Sequence, residues 1–259
     1  MRRSKTLAKI RSNETAKVCC LGHYIPAFVK HAAHAGFDCI WLDLEHRNIA
    51  DRDVETLLAH SHLHDIDIMV RSPTLEKTRL YRYLEDGAAG LMIPHVNDAE
   101  KARFLVDAVK YPPVGDRGLD GAGLDADFMV HGREAVADYL AEANQETFLV
   151  VQAETPTAIN NIGEIVAVPG VDAVFVGPGD LGLRLKHHDG SMTLDSAFES
   201  VADACRQNGV AWGCPVGSVE DLAKRQQQGG QLLAHGGEFE GIVNVLQQSA
   251  ENFKNTPRR

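Results

Sequence analysis

Apolar runs of about four to six residues recur along this chain, and each gives way to a stretch with helix-like spacing of apolar positions. Short continuous runs of this kind read as strands buried on both faces, and the stretches after them as amphipathic helices. The pattern predicts strands over Lys17–Leu21, Asp38–Leu42, Ile66–Arg71, Gly90–Pro94, Phe148–Ala153, Ala173–Val176, Val210–Cys214 and Gln231–Ala234. It predicts helices near Ile25–Ala35, Asp51–His60 (with Asp51 as cap), Glu76–Asp86, Asp98–Lys110, Pro156–Val166, Leu194–Asn208, Val219–Gln228 and Phe239–Phe253. Strands alternating with helices imply a parallel sheet, because parallel crossovers need the helices. Eight such units within 259 residues predict an α/β chain that closes into a (β/α)8 TIM barrel, one domain spanning residues 1–259. A doubly wound open sheet is the alternative. It would carry a glycine fingerprint in its first unit, where Cys20-Leu21-Gly22-His23-Tyr24 stands instead.

Two connections exceed the usual length. One runs from Tyr111 to about Asp127 and is rich in Gly, Pro and Asp; the other runs from Leu181 to Met192. Loops this long tend to be functional. Hydrophobic residues make up 44% of the chain, enough for a sizeable core, yet no apolar run reaches the ~20 residues of a membrane span. Met1-Arg2-Arg3-Ser4-Lys5-Thr6 lacks the apolar segment of a signal peptide, so a cytoplasmic location is expected. A formal charge of −10 argues against nucleic acid as a partner. The cysteines (19, 20, 39, 205 and 214) show no metal-ligand spacing and read as small core residues.

The candidate chemistry lies where strands end. Leu42-Asp43-Leu44-Glu45-His46 closes the second strand, Arg71 the third and Glu154 the fifth, and Asp180 follows the sixth. Taken singly, Glu154 could cap the helix at Pro156, Asp180 could shape a turn and Arg71 could be a surface ion pair. A parallel barrel brings all strand C-termini to one face, where these residues would meet. Glu154 and Asp180 come from neighbouring strands without nearby cysteine, a donor set for a hard divalent cation: Mg2+, Mn2+ or Co2+. Arg71 could fork onto the carboxylate or oxyanion of a 2-oxo acid. His46, oriented by Asp43 or Glu45, is the natural proton-transfer group.

Together, Leu42–His46, Val70-Arg71-Ser72-Pro73, Ile93-Pro94-His95-Val96-Asn97, Tyr111-Pro112-Pro113-Val114-Gly115-Asp116-Arg117-Gly118, Gln152-Ala153-Glu154-Thr155 and Gly177-Pro178-Gly179-Asp180-Leu181 resemble the HpcH/HpaI aldolases, metal-dependent class II pyruvate aldolases. The family includes 4-hydroxy-2-oxoheptanedioate and 2-dehydro-3-deoxyglucarate aldolases. The resemblance implies a barrel whose last helix is exchanged between subunits of a homohexamer, a trimer of dimers. It implies reversible cleavage of 4-hydroxy-2-oxo acids to pyruvate, or a related 2-oxo acid, and an aldehyde, through a metal-stabilised enolate. Carried over, Glu154 and Asp180 are the metal ligands. Arg71 holds pyruvate and steadies the enolate, and His46 with Asp43 serves acid–base transfer through water. Glu45 orients metal-bound water. Gln152 and the backbone at Gly177, Pro178 and Gly179 contact the pyruvate end.

Other signals point elsewhere or nowhere. Gly177 to Gly182 fits G-x-G-x-x-G but puts a carboxylate where pyrophosphate would need amides, so no nucleotide cofactor is expected. The predicted strands contain only Lys17, which disfavours a Schiff-base lysine. His60-Ser61-His62-Leu63-His64 falls on the opposite, stability face. His187-His188 follows the sixth strand on the catalytic side, and Asp116-Arg117 is either a local ion pair or part of a lid. The alternatives in function are a CoA-thioester C–C lyase of the citrate-lyase type, an oxaloacetate decarboxylase and a non-catalytic metabolite-binding barrel.

Overall fold

The computed structural model of the chain describes residues 1–132, 134, 136–187 and 190–256. Its strands are β1 (Ala16–Leu21), β2 (Cys39–Asp43), β3 (Asp67–Arg71), β4 (Gly90–Ile93), β5 (Phe148–Ala153), β6 (Ala173–Val176), β7 (Ala211–Pro215) and β8 (Leu232–Gly237). They pair in parallel, in sequence order, and β8 closes on β1. The (β/α)8 barrel expected from the sequence is therefore the fold.

The period-2 alternation of each strand decides what fills the barrel and what lines its mouth. Val18, Cys39, Met69, Met92, Phe148, Val150, Ala173, Phe175, Ala211 and Leu232 form a separate inner cluster. Ile40, Leu42, Val70, Leu91, Val151, Val174 and Leu233 face outward into the larger core beneath the helices. Two residues beyond Trp41 on the same face comes Asp43, two beyond Met69 comes Arg71, and two beyond Val150 comes Gln152, then Glu154. The pleat that packs the lumen thus delivers these polar groups to the C-terminal rim.

The opposite end is sealed by an element the periodicity did not predict, the helix Lys5–Arg11. Its Leu7 enters the inner cluster. The fully buried Asp67 of β3 receives hydrogen bonds from Ser4 Oγ (2.6 Å), the Thr6 amide (2.8 Å) and Arg2 Nη2 (2.6 Å). A buried carboxylate needs such donors, and here they plug the barrel floor.

Several expectations are corrected. The helix Asp51–Leu63 has Ala50 at its N-cap with no side-chain cap; Asp51 lies in the first turn and pairs with Arg79. The stretch Pro156–Val166 is two helices, Pro156–Asn160 and Ile162–Val166, parted at Asn161. The segment after β6 is not all loop, since Pro178–Leu185 is helical. The region before β5 carries the helix Val136–Glu146. Asp116 and Arg117 do not pair with each other. Asp116 meets Lys77 at 2.8 Å, and the buried Arg117 meets Asp125 at 2.9 Å, where the Tyr139 hydroxyl also donates to Asp125. The five cysteines are free thiols, four of them buried, as core residues should be. Among the described residues no helix is long and apolar enough to cross a membrane.

Candidate active site

Arg71 is the best-held side chain at the rim. Its Nε donates to Asp43 Oδ1 at 3.0 Å, Nη2 lies 2.8 Å from Asp43 Oδ2, and Nη1 lies 3.1 Å from Glu45 Oε2. The guanidinium sits 4.6 Å above the Trp41 ring. Asp43 and Arg71 are paired neighbours of β2 and β3, so strand register itself sets the fork. Burial alone would raise the Asp43 pKa, but the hydrogen bond and charge of Arg71, with the His46 amide, hold it below the ordinary range. Asp43 Oδ1 also accepts the Glu45 and His46 amides, at 3.0 and 3.2 Å, which turns the chain sharply after β2. Asp43 therefore anchors the His46 backbone, while the exposed ring is faced by Glu45, with Nε2 3.6 Å from Oε2.

Glu154 is 2% exposed, and its carboxylate contacts no lysine or arginine side chain among the described residues. The cap of the following helix is Thr155, whose hydroxyl accepts the Ala158 amide, so Glu154 is free of that duty. Its Oε1 receives the His95 amide at 2.8 Å and lies 3.1 Å from the ring Nδ1 of the same residue. Burial raises its pKa; the His95 amide and ring oppose this, while Glu45 and Asp180 add to it. Its Oε2 faces Gly177, where a Cβ would come within 2.7 Å. Beside it, Gln152 Nε2 stands 3.5 Å from Oε2, and Gln152 Oε1 is buried with no partner.

Sequence reasoning missed two members of the site. His95 sits just past β4 with φ 56°, a left-handed conformation uncommon outside glycine. That turn aims its amide at Glu154, and its Nε2 lies 3.8 Å from Glu45 Oε1. Lys101 braces the turn by donating to the Pro94 and His95 carbonyls. The other is Arg184, whose Nη1 meets Asp180 Oδ1 at 2.6 Å and the Glu154 carbonyl at 3.2 Å. The rule used for the other strand ends would have found His95. Arg184 needed the helix Pro178–Leu185, which places it one turn from Asp180.

A run of polar contacts therefore joins Asp43, Arg71, Glu45, His95 and Glu154, then passes by Arg184 to Asp180. The residues singled out from separate strand ends converge. The backbone reading of the Gly-Pro-Gly turn needs correction: the Gly177 amide is bonded to the Ala153 carbonyl at 3.3 Å, and Pro178 has none to offer. Only Gly179 and Asp180 can present amides there. Beside Arg71 a cleft of about 300 Å3 opens between β1, β2, β7 and β8, lined by Cys20, Trp41, Val216 and Glu238. His60–His64 forms no metal cluster, nor does any other group of three His, Cys, Asp or Glu among the described residues. His188 lies outside the described residues, and Lys17 is exposed at the start of β1.

The model of the HpcH/HpaI aldolase/citrate lyase family matches residues 19–244. The chain belongs to the HpcH/HpaI aldolase/citrate lyase family. It is 35% identical to the hydroxypyruvate/pyruvate aldolase of Deinococcus radiodurans, over 92% of this chain and 85% of that one. It is 35% identical to the 4-hydroxy-2-oxovalerate aldolase of Rhodococcus jostii, over 81% and 78%. The HpcH/HpaI aldolase structure from Desulfitobacterium hafniense superposes with a TM-score of 0.87 at 28% identity, covering 96% of both chains. As an HpcH/HpaI member the chain is a carbon–carbon lyase of the aldolase class, and the polar rim occupies the end of the barrel where (β/α)8 enzymes work.

Proposed function

We propose that this protein is a divalent-metal-dependent aldolase that reversibly cleaves 4-hydroxy-2-oxo acids to pyruvate, or a related 2-oxo acid, and an aldehyde. The observation that carries the reading is Glu154, whose carboxylate meets no lysine or arginine side chain among the described residues and whose pKa is raised by burial first and by Glu45 and Asp180 besides. The rim sets four carboxylates, Asp43, Glu45, Glu154 and Asp180, against two guanidiniums, Arg71 and Arg184. The donor set fits a hard cation held by two carboxylates, Glu154 and Asp180, with its remaining positions left to water and substrate. The space kept clear by Gly177 and the unpartnered Gln152 oxygen support the same fit. A bound Mg2+, Mn2+ or Co2+ would supply Lewis-acid polarisation of the 2-oxo group.

The chain's own residues do the rest. Asp43 and Glu45 fix three contacts of the Arg71 guanidinium, leaving its other N–H groups for the oxyanion that develops as a methyl proton leaves pyruvate. Because the fork is already held, little reorganisation accompanies that charge. Gln152 and the Gly179 and Asp180 amides would bind the carboxylate end. His46, exposed and faced by Glu45, would pass a proton through water to or from the aldehyde-derived oxygen. The cleft beside Trp41 and Val216 has room for the aldehyde portion.

A homohexamer with an exchanged last helix belongs to the same proposal. The helix Glu238–Asn255 leaves Ile242, Val245 and Leu246 exposed beside Ile25 and Phe28, an apolar strip of the kind interfaces cover. The function is tested by following pyruvate release from a panel of 4-hydroxy-2-oxo acids with and without EDTA. Release that stops in chelator and returns with Mn2+ is expected; full activity in chelator would remove the cation from the scheme.

A further inference from the structure

We infer that Arg184 is a positioning residue that sets the Asp180 carboxylate for cation binding; this rests on the metal reading above. An Asp–Arg pair at i, i+4 on a helix is usually a surface pair of small worth, and the side chains here are only partly buried, at 43% and 36% exposure. What sets this one apart is its third partner. The Nη1 that holds Asp180 Oδ1 at 2.6 Å also donates to the main-chain carbonyl of Glu154 at 3.2 Å. One guanidinium therefore ties the two elements that carry the proposed ligands: the residue just past β5, and the first turn of Pro178–Leu185. Arg184 is the only hydrogen-bond partner of the Asp180 carboxylate among the described residues. Oδ2 has no hydrogen-bond partner among the described residues, and a side chain otherwise free to change rotamer is held in one orientation. Partners that hydrogen-bond a ligating carboxylate commonly matter to affinity as much as this geometry implies.

Charge alone predicts the reverse. A guanidinium beside a cation site repels the ion, so if Arg184 were merely a counter-charge for Asp180, removing it would tighten binding. The two effects have opposite signs, and a titration with Mn2+ alone separates them. Free Mn2+ is read by EPR against wild type, R184Q, R184K and D180N, with melting of each apo protein recorded alongside. R184Q is expected to bind Mn2+ roughly tenfold more weakly than wild type, with its apo melting temperature little changed. R184K, which keeps the charge on a shorter side chain without the planar guanidinium that sets the direction of both bonds, is also expected to bind more weakly than wild type, and it carries the test if R184Q does not fold. Equal or tighter Mn2+ binding by the folded variant would overturn the role given to Arg184. D180N addresses the underlying reading separately. Wild-type Mn2+ affinity in D180N would mean that Asp180 is no ligand, whatever R184Q does.

Discussion

Replacing Gly177 with alanine places one methyl group against the candidate cation ligand and changes little else. The backbone there has φ −92°, open to alanine, so no conformational penalty confuses the result. The added Cβ would lie 2.7 Å from Glu154 Oε2 and 3.0 Å from its Cβ. The first distance is roughly 0.7 Å short of the 3.4 Å at which ordinary contact begins. Glu154 cannot retreat freely, because its Oε1 is held by the His95 amide at 2.8 Å. The carboxylate must rotate and give up part of that bond or part of its aim. Overpacking of this size costs about 1–3 kcal/mol, or a melting temperature lower by about 2–10 °C in a chain this long. Misplacing a reacting or ligating group by a fraction of an ångström up to 1 Å costs on the order of 10- to 100-fold in rate. G177A should therefore lose roughly that factor in kcat/KM for pyruvate release and bind Mn2+ more weakly by calorimetry, while staying folded. Wild-type rate and wild-type Mn2+ affinity in a folded G177A protein would refute the reading of Glu154 as a cation ligand.

Burial lifts the Glu154 pKa above its unfolded value, so its contribution to stability is full below the unfolded pKa of about 4.3 and is lost as pH rises through the folded value. E154Q should accordingly melt higher than the metal-free wild type at pH 7, show no such gain near pH 4, and be inactive; scanning calorimetry at the two pH values checks the sign. D43N should lose about 2 kcal/mol, less than the 3–5 kcal/mol of a fully buried pair, because Glu45 still faces Arg71. Its kcat should fall more than its thermal stability implies, and an unchanged kcat would show that the Arg71 fork is not needed. If the proposed hexamer forms through the last helix, a V245E/L246E double variant should have a lower particle mass than wild type in light scattering, and an unchanged mass would count against that interface.

Legibility in the sequence followed the strength of the local pattern. Phe148–Ala153, Ala173–Val176 and Leu194–Asn208 fall where apolar periodicity put them, because strands buried on both faces and a long amphipathic helix each leave an unambiguous signal. The helix Lys5–Arg11 was missed because it has only seven residues and its value lies in tertiary contacts, Leu7 in the lumen and Ser4 and Thr6 on Asp67. Pro178–Leu185 carries little helical signal in the sequence because two glycines flank its proline. At the rim, Asp43, Arg71 and Glu154 stand out because charged residues end apolar runs, whereas Gln152 enters only through the family resemblance. His95 obeys the same rule but hides in a Pro-His turn whose left-handed backbone no periodicity reveals. The link from Arg184 to the Glu154 carbonyl joins side chain to main chain across two elements, a contact that spacing cannot encode.

The proposed function requires this rim to turn a 2-oxo acid into its enolate, with Glu154 and Asp180 holding the cation and Arg71 taking the charge. Proton NMR of pyruvate in D2O measures that step without any aldehyde. Wild-type protein with Mg2+ should exchange the methyl protons for deuterium, and the exchange should vanish with EDTA and in E154A, D180A and R71A. Undiminished exchange in chelator, or in folded E154A, would contradict the account.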